Sequence, residues 1–380
     1  METQAKTLAK KLMENGVEIL VITRQRTSNL KKKETIDGIP VTRIPPIGPG
    51  KFRRWEMMPF AFLYLLKMRR KYDVLFVPAF RTLGLPAVIV SILFKKKCIL
   101  KAENNGEMSG EFFEIGFSKK LGLPINYFKI FLLLRNRLLR RANYFISFSS
   151  QISDELKSNQ VPGYKIVELP NGIDINKFSP SSPDEKIKLR QKLGIPENKV
   201  IAVFTGRLVS WKGLPLLVRV WSKVVSNNPD AVLVLVGGGG EDIHNCEDDL
   251  RNFVGDNNLE ANVIFTGNVE NVTEYLKSAD IFVFPSENEA FGNSIIEAMA
   301  CGLPVITTRT GGPKDIITEN ENGLKVTAND FNELHDAINT LIKDRNLGSK
   351  LGQNARSTAQ EKYSIDTITR KYIQLFISGS

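Results

Sequence analysis

The chain has only two histidines, His244 and His335, and three cysteines, Cys98, Cys246 and Cys301, none in CxxC spacing. That scarcity excludes a Cys/His metal cluster and a disulfide framework, and scattered thiols point to a reducing cytosol. Long hydrophobic runs are lacking as well. The longest, such as residues 86–94 and 130–134, fall far short of the roughly 20 apolar residues of a spanning helix. No basic segment followed by an apolar stretch and a small-residue cleavage site opens the chain. These absences predict a cytoplasmic protein that is not integral to a membrane. Zinc-finger spacing, RNP-like aromatic motifs and basic heptad runs are missing too, so nucleic acid is not an expected partner.

What is present is an ordinary globular mixture, 42% hydrophobic and 24% charged over 380 residues, a length that suggests two domains. The net charge of +11 is unevenly spread: residues 1–170 hold 30 Lys and Arg against 14 Asp and Glu, leaving 22 against 27 for the remainder. A basic first half suits a phosphorylated ligand or an anionic membrane surface.

From residue 200 onward, apolar runs alternate with helical patterns: VIAVF (200–204), a Leu/Val/Trp stripe, AVLVLV (231–236), NVIFTG (262–267), DIFVFP (280–285) and PVITT (304–308). Strands that are apolar throughout and alternate with helices predict a doubly wound parallel sheet covered on both faces. Gly237 to Gly240 marks the carboxyl edge of one strand, where ligands bind in such sheets. The first half repeats the logic with a helix at 3–15, VEILVIT (17–23), a helix at 56–70, DVLFVP (73–78), CILKAE (98–103), a helix at 125–141 and YFISFS (144–149). The expected division is a domain of residues 1–170, a second of 171–362, and a closing helix, 363–380, that crosses back to the first, with the join near LPNGID (169–174).

Two stretches carry chemistry. In EAFGNSIIE (289–297) two carboxylates, Glu289 and Glu297, flank a Phe291-Gly292-Asn293 turn and a helix start capped by Asn293 or Ser294. Helix starts aim amide hydrogens forward, Gly292 lets backbone approach a ligand, and a carboxylate can hold a vicinal diol. A molecule rich in hydroxyls and phosphate, such as a nucleotide sugar, fits that combination. In FTGRLVSWKG (204–213), a strand ends at Gly206, and Arg207 and Lys212 emerge at the sheet's carboxyl edge, where two cations could clamp a pyrophosphate. Taken alone, each stretch is also compatible with a capped surface helix or a surface turn over Trp211.

Together with LPNGID, ADIFVFPS, ACGLPVI, the GGP at 311–313 and the ENGL at 321–324, these residues resemble the retaining glycosyltransferases of family four in order and spacing. The resemblance implies a GT-B fold, two Rossmann-like domains facing across a cleft. It implies a nucleotide diphosphate sugar as donor, no cofactor or essential metal, and transfer to a lipid-linked or glycan acceptor. It assigns the diphosphate to Arg207 and Lys212 beside Gly206, and the transferred sugar to Glu289. Glu297 would bind the ribose, the amides of Phe291, Gly292, Asn293 and Ser294 sugar or phosphate, and main chain at Val269 the base. The family often has a histidine near the end of a first-domain strand. Here that region reads LKAENNGEMSGEFF (100–113), and Glu103, Asn104 or Asn105 is expected to take over the acceptor side.

Three further expectations follow. The family's domain opens with a strand and a Gly-rich turn, whereas the helical stripe of Ala5, Leu8, Ala9 and Leu12 begins almost at Met1. A missing first strand and a truncated, weakly stable first domain are therefore expected, to be restored by roughly 15–20 upstream residues. KFRRWEMMPFAFLYLLKMRRKY (51–72) has the aromatic and cationic make-up of an interfacial anchor at the inner face of the plasma membrane, or of an ordinary helix packed on its sheet. Alternative functions are a non-catalytic sugar-nucleotide-binding module and a sugar-nucleotide epimerase of the same fold.

Overall fold

The computed structural model describes residues 2–50, 53–110 and 125–378. Two compact units result, one of Met1–Gly172 with Ile368–Ser380 and one of Ile173–Thr367.

The first unit contains α1 (Glu2–Glu14), β1 (Val21–Arg24), β2 (Lys33–Ile36), β3 (Ile39–Ile44), α2 (Arg53–Met68), β4 (Val74–Pro78), α3 (Phe80–Phe94), β5 (Lys97–Lys101), α4 (Ile125–Leu139), β6 (Tyr144–Ser147), α5 (Ser150–Ser158) and β7 (Ile166–Glu168). Its strands form two sheets, β1-β3-β2 and an all-parallel β4-β5-β6-β7. β1 and β4 are outer strands of their sheets, and β1 is only half-buried along its length. β2 and β3 make an antiparallel hairpin through Asp37 and Gly38, both at positive φ, as a tight two-residue turn requires. β1 starts later than the apolar run at 17–23 because the chain leaves α1 through Gly16 at φ +82 and the Val17 amide turns back to the Leu12 carbonyl. α2 packs between the first sheet and α3: its Met57 and Ala61 meet Ile44 of β3, Ile22 of β1 and Leu83 of α3. Of the stretch 51–72, residues 51 and 52 lie outside the described residues, the inner stripe of α2 lies in the core, and Phe60 and Leu63 face outward.

In the second unit the elements are α6 (Pro183–Leu193), β8 (Val200–Thr205), α7 (Leu214–Asn227), β9 (Ala231–Val236), α8 (Glu247–Asp256), β10 (Val263–Gly267), α9 (Val272–Ser278), β11 (Ile281–Phe284), α10 (Asn293–Ala300), β12 (Val305–Thr308), α11 (Pro313–Ile316), β13 (Leu324–Val326), α12 (Phe331–Lys343) and α13 (Arg345–Tyr363), followed by α14 (Ile365–Ile377), most of which belongs to the first unit. The strands are parallel in the order β10-β9-β8-β11-β12-β13. Ile201 to Phe204 and Ile281 to Phe284 are buried on both faces, which is why these strands read as unbroken apolar runs. From β8 the chain winds outward to β10, then returns to the other side of β8 for β11. The boundary between β8 and β11 is the point where winding reverses, and the carboxyl end of such a point is where doubly wound sheets hold their ligand crevice.

α14 closes on the first unit. Tyr372 packs edge-on to Phe76 of β4 at 5.6 Å, and the Lys97 ammonium donates to the Leu375 and Phe376 carbonyls at 3.3 and 2.8 Å. Those last carbonyls of a helix have no helical partner, and a cation suits them.

Candidate active site

The loops leaving β8 and β11 are neighbours at the reversal point, and close backbone contacts lock them together. Gly213 ends the β8 loop with φ +73, and a Cβ there would sit 2.0 Å from the Pro285 carbonyl oxygen, so no side chain is possible. The Trp211 carbonyl accepts from the Glu287 amide at 3.0 Å and from Ser286 Oγ at 3.3 Å. A third loop braces the second: the Gly312 amide donates to the Glu289 carbonyl at 2.8 Å, and a Cβ on Gly311 would lie 2.1 Å from that same oxygen. The GGP motif at 311–313 is thus the support under Glu289.

This bracing brings Lys212 and Glu289 into a direct ion pair, their side chains 11% and 18% exposed. The Lys212 ammonium also lies 4.7 Å from the ring centres of Trp211 and Phe284, a position that favours a fixed cation. Arg207 is far more open at 59%, pairs with Asp242, and stands over Trp211 from 5.6 Å. One aromatic side chain thus underlies both cations. Gly206 sits where β8 ends, its amide donating to the Val236 carbonyl of β9.

α10 begins at this crevice. Its N-cap is Gly292 at φ +106, with no side chain capping it, so Asn293 is the first helical residue. This corrects the expected cap at Asn293 or Ser294, and places Glu297 at the start of the second turn. Glycine at the cap leaves the helix entry uncovered by any capping side chain, which suits an incoming polar ligand. Phe291 is buried edge-on against Tyr363 at 6.1 Å, so the turn's aromatic residue anchors the loop and contributes only backbone to the crevice. Burial pushes the Glu297 carboxyl up to about 7, with Lys177 acting in the opposite direction. Val269 follows β10, two strands out from β8.

Glu103, Asn104 and Asn105 lie elsewhere, on the loop after β5 in the first unit. Glu103 pairs with the buried Lys101 ammonium at 3.2 Å, and Lys101 donates to Asn171 at 2.7 Å. The loop is held from beneath: Glu155 accepts from the amides of Gly106, Met108 and Ser109 at 2.7 to 3.0 Å, and Glu107 accepts from the Glu103 amide at 3.2 Å. Burial pushes the Glu107 carboxyl up to about 7. Sequence reasoning missed Asp242, Glu107 and Glu155. The Gly237–Gly240 run pointed to the loop that carries Asp242, but the other two act only through contacts distant in the chain.

Comparison with known proteins follows the same division. Residues 1–177 match the family described as Glycosyltransferase Family 4, and residues 185–358 match Glycosyl transferases group 1. An uncharacterized glycosyltransferase of Methanocaldococcus jannaschii is 28% identical over 98% of this chain and 92% of its own length. An Escherichia coli UDP-Gal:alpha-D-GlcNAc-diphosphoundecaprenol alpha-1,3-galactosyltransferase is 27% identical over 85% of this chain and 81% of its own. The crystal structure of Anabaena HepE in complex with UDP aligns with a TM-score of 0.74 at 23% identity, covering 90% of this chain and 87% of that one, a likeness of fold. With two α/β units of GT-B type, matched in turn by these two family descriptions, the chain belongs to glycosyltransferase family four, the group 1 glycosyltransferases.

Proposed function

We propose that this protein transfers a sugar from a nucleoside diphosphate sugar to a hydroxyl of a lipid-linked or glycan acceptor, with retention of anomeric configuration. The observation that carries the reading is the Lys212–Glu289 pair, with Arg207 beside it, on the two loops that leave the reversal point of the second sheet. Diphosphate between Arg207 and Lys212 receives charge as the bond from the anomeric carbon to the phosphate oxygen breaks and its electron pair departs with the phosphate. Two fixed cations supply there the stabilisation that a divalent metal supplies in other transferases. The acceptor oxygen forms its bond to the anomeric carbon from the same face, and its proton passes to the leaving phosphate. Glu289 orients the sugar hydroxyls or stabilises the cationic ring, and Glu297 accepts from the ribose hydroxyls. Backbone at Gly206, Gly292, Asn293 and Ser294 borders the phosphates and sugar, main chain at Val269 the base, and the Glu103–Asn105 loop the acceptor. The Escherichia coli relative, whose acceptor is a diphosphoundecaprenol-linked sugar, supports the lipid-linked class.

The test is a thermal-shift panel of UDP, GDP, ADP and their sugars, followed by transfer from the stabilising donor to a lipid-linked sugar in the presence of EDTA. A ligand at 100 times its Kd raises stability by about 2.7 kcal/mol. A product of retained anomeric configuration, formed undiminished in EDTA, is expected. An inverted product, loss of turnover in EDTA, or stabilisation by no nucleotide would each overturn the corresponding part of the reading.

A further inference from the structure

The described outer face of α4, from Ile130 to Leu134, is apolar. Beside the buried Leu139, two of the helix's inward residues are polar. Arg135, buried, donates to the Glu107 carbonyl at 2.8 Å and to the Arg81 carbonyl at 3.3 Å, and Asn136 donates to the Met108 carbonyl at 2.8 Å. Among the described residues of that side, Leu139 lies over Gly84 and Leu132 over Gly110. Its outward residues are apolar: Ile130 is 57% exposed, Phe131 41%, Leu133 69% and Leu134 64%. An amphipathic helix on a globular protein normally has the reverse arrangement, because exposed leucines gain nothing from water. Four large apolar side chains within five positions form a contiguous patch, unlike single exposed leucines, which are ordinary.

The patch does not stand alone. Following the outward stripe by helical spacing from Ile130 and Leu134 leads to Arg137, and Arg141 follows in the turn after the helix, both exposed. α3, which packs against α4, ends in the same way: Ile92 and Leu93 are 49% and 59% exposed, and Lys95 closes the helix. Each of these helices precedes or follows a strand of the parallel β4–β7 sheet, so α3 and α4 run in the same direction and their basic ends share one rim. Basic residues at helix ends also complement the helix dipole. That accounts for the rim but not for the apolar band beside it.

We infer that the outer face of α4, continued by the end of α3, docks on an anionic phospholipid bilayer, with the leucines entering the headgroup and acyl boundary and the arginine rim at the phosphates. Apolar insertion beside cations at one end of a helix, in a half of the chain carrying 30 basic against 14 acidic residues, matches the chemistry of that surface. Arg135 and Asn136 couple the docked helix to the loop that bears Glu103 and Asn105, by the carbonyls of Glu107 and Met108. A bilayer at α4 therefore lies next to the loop expected to receive a lipid-linked acceptor. That last link rests on the proposed reaction, whereas docking itself is measured without donor or acceptor, so the two can fail separately.

The experiment is co-sedimentation of the full chain with phosphatidylcholine vesicles containing about 30% phosphatidylglycerol, and with phosphatidylcholine alone. Binding to the anionic vesicles, weakened but not abolished by high salt, is expected. The double variant Leu133→Ser/Leu134→Ser should lower the partition coefficient by about tenfold or more with little change in Tm. A dye on Leu134→Cys should shift to the blue on anionic vesicles, an independent readout, since Cys98, Cys246 and Cys301 are buried. No vesicle binding by the wild type, equal binding by the double variant, or a dye unmoved by vesicles overturns the inference. So does a self-association that the double variant abolishes while vesicle binding is absent, which would make the face a contact between copies.

Discussion

Replacing Lys212 by alanine separates what the Lys212–Glu289 pair does for the fold from what it does for the reaction. On folding, the change leaves the Glu289 carboxylate, only 18% exposed, without its cation and removes the ammonium from the Trp211 and Phe284 rings. An unsatisfied, partly buried charged group costs about 1–3 kcal/mol, and a lost cation–π contact about 0.5–1 kcal/mol. At about 2–4 °C per kcal/mol for a unit of this size, Tm should fall by about 3–15 °C. On catalysis, losing one charge aimed at the departing diphosphate should lower kcat by about 10²–10³-fold, with a smaller change in KM. The assay is steady-state release of nucleoside diphosphate with melting measured in parallel, and the decisive variant is Lys212→Ala/Glu289→Gln. Neutralising Glu289 removes the uncompensated charge, so Tm should recover in the double variant while turnover stays low. A single variant within about threefold of wild-type turnover, or a double variant that regains activity together with stability, would show that the pair is a structural brace and refute the assignment.

The remaining expectations concern neighbouring residues. Burial raises the Glu297 carboxyl from 4.5 to about 7, so the folded chain holds a proton that the unfolded chain has released, and stability present at low pH is lost as pH rises from about 4.5 to 7. Glu297→Gln should therefore melt above the wild type at pH 8 and level with it at pH 4, while its nucleotide affinity, measured by calorimetry, loses the rise through pH 7 that a ribose-binding carboxylate gives. Equal melting at both pH values would contradict this. Arg207→Ala removes a largely exposed ion pair with Asp242, so Tm should move by no more than about 1 kcal/mol equivalent while the donor KM rises about tenfold. An unchanged KM would remove Arg207 from the diphosphate. Gly213→Ala places a Cβ against the Pro285 carbonyl, and a drop in Tm of about 5–15 °C is expected by calorimetry.

Legibility followed burial. β8, β9 and β11 are covered on both faces, so nothing polar interrupts them, and their runs were plain. β2 and β3 escaped notice because β2, KETI, is exposed at three of its four residues and begins at the last of three lysines, so the stretch resembled a solvated loop; the Asp37–Gly38 turn was the available signal. α3 escaped for the opposite reason. Buried on most sides and containing Pro86, it presents no polar stripe against which a helical period could be counted. At the site, the residues at each strand end could be found because glycine, cation and carboxylate follow an apolar run directly. Their mutual arrangement could not: nothing in the spacing of 289 and 311 shows that the Gly311 Cα must touch the Glu289 carbonyl, and nothing near Arg207 marks Asp242 as its partner.

α4 sets a different limit on reading a sequence, since its period was correct and its orientation was not determined by that period. A helical pattern locates apolar and polar stripes but leaves open which one turns inward, and the usual rule selects the apolar stripe. Here the rule fails because the neighbouring loop, residues 103–109, presents carbonyls of Glu107 and Met108 that need donors, and Arg135 and Asn136 supply them. A buried carbonyl left without a donor is more costly than an exposed leucine, so Arg135 and Asn136 turn in beside Leu139, and Leu133 and Leu134 turn out. The stretch at 51–72 had the more conspicuous aromatic and basic content, yet its Met57, Ala61 and Leu65 are core residues. The outward face of α4 was therefore decided by hydrogen-bond demand in a loop 28 residues upstream of the side chains that meet it.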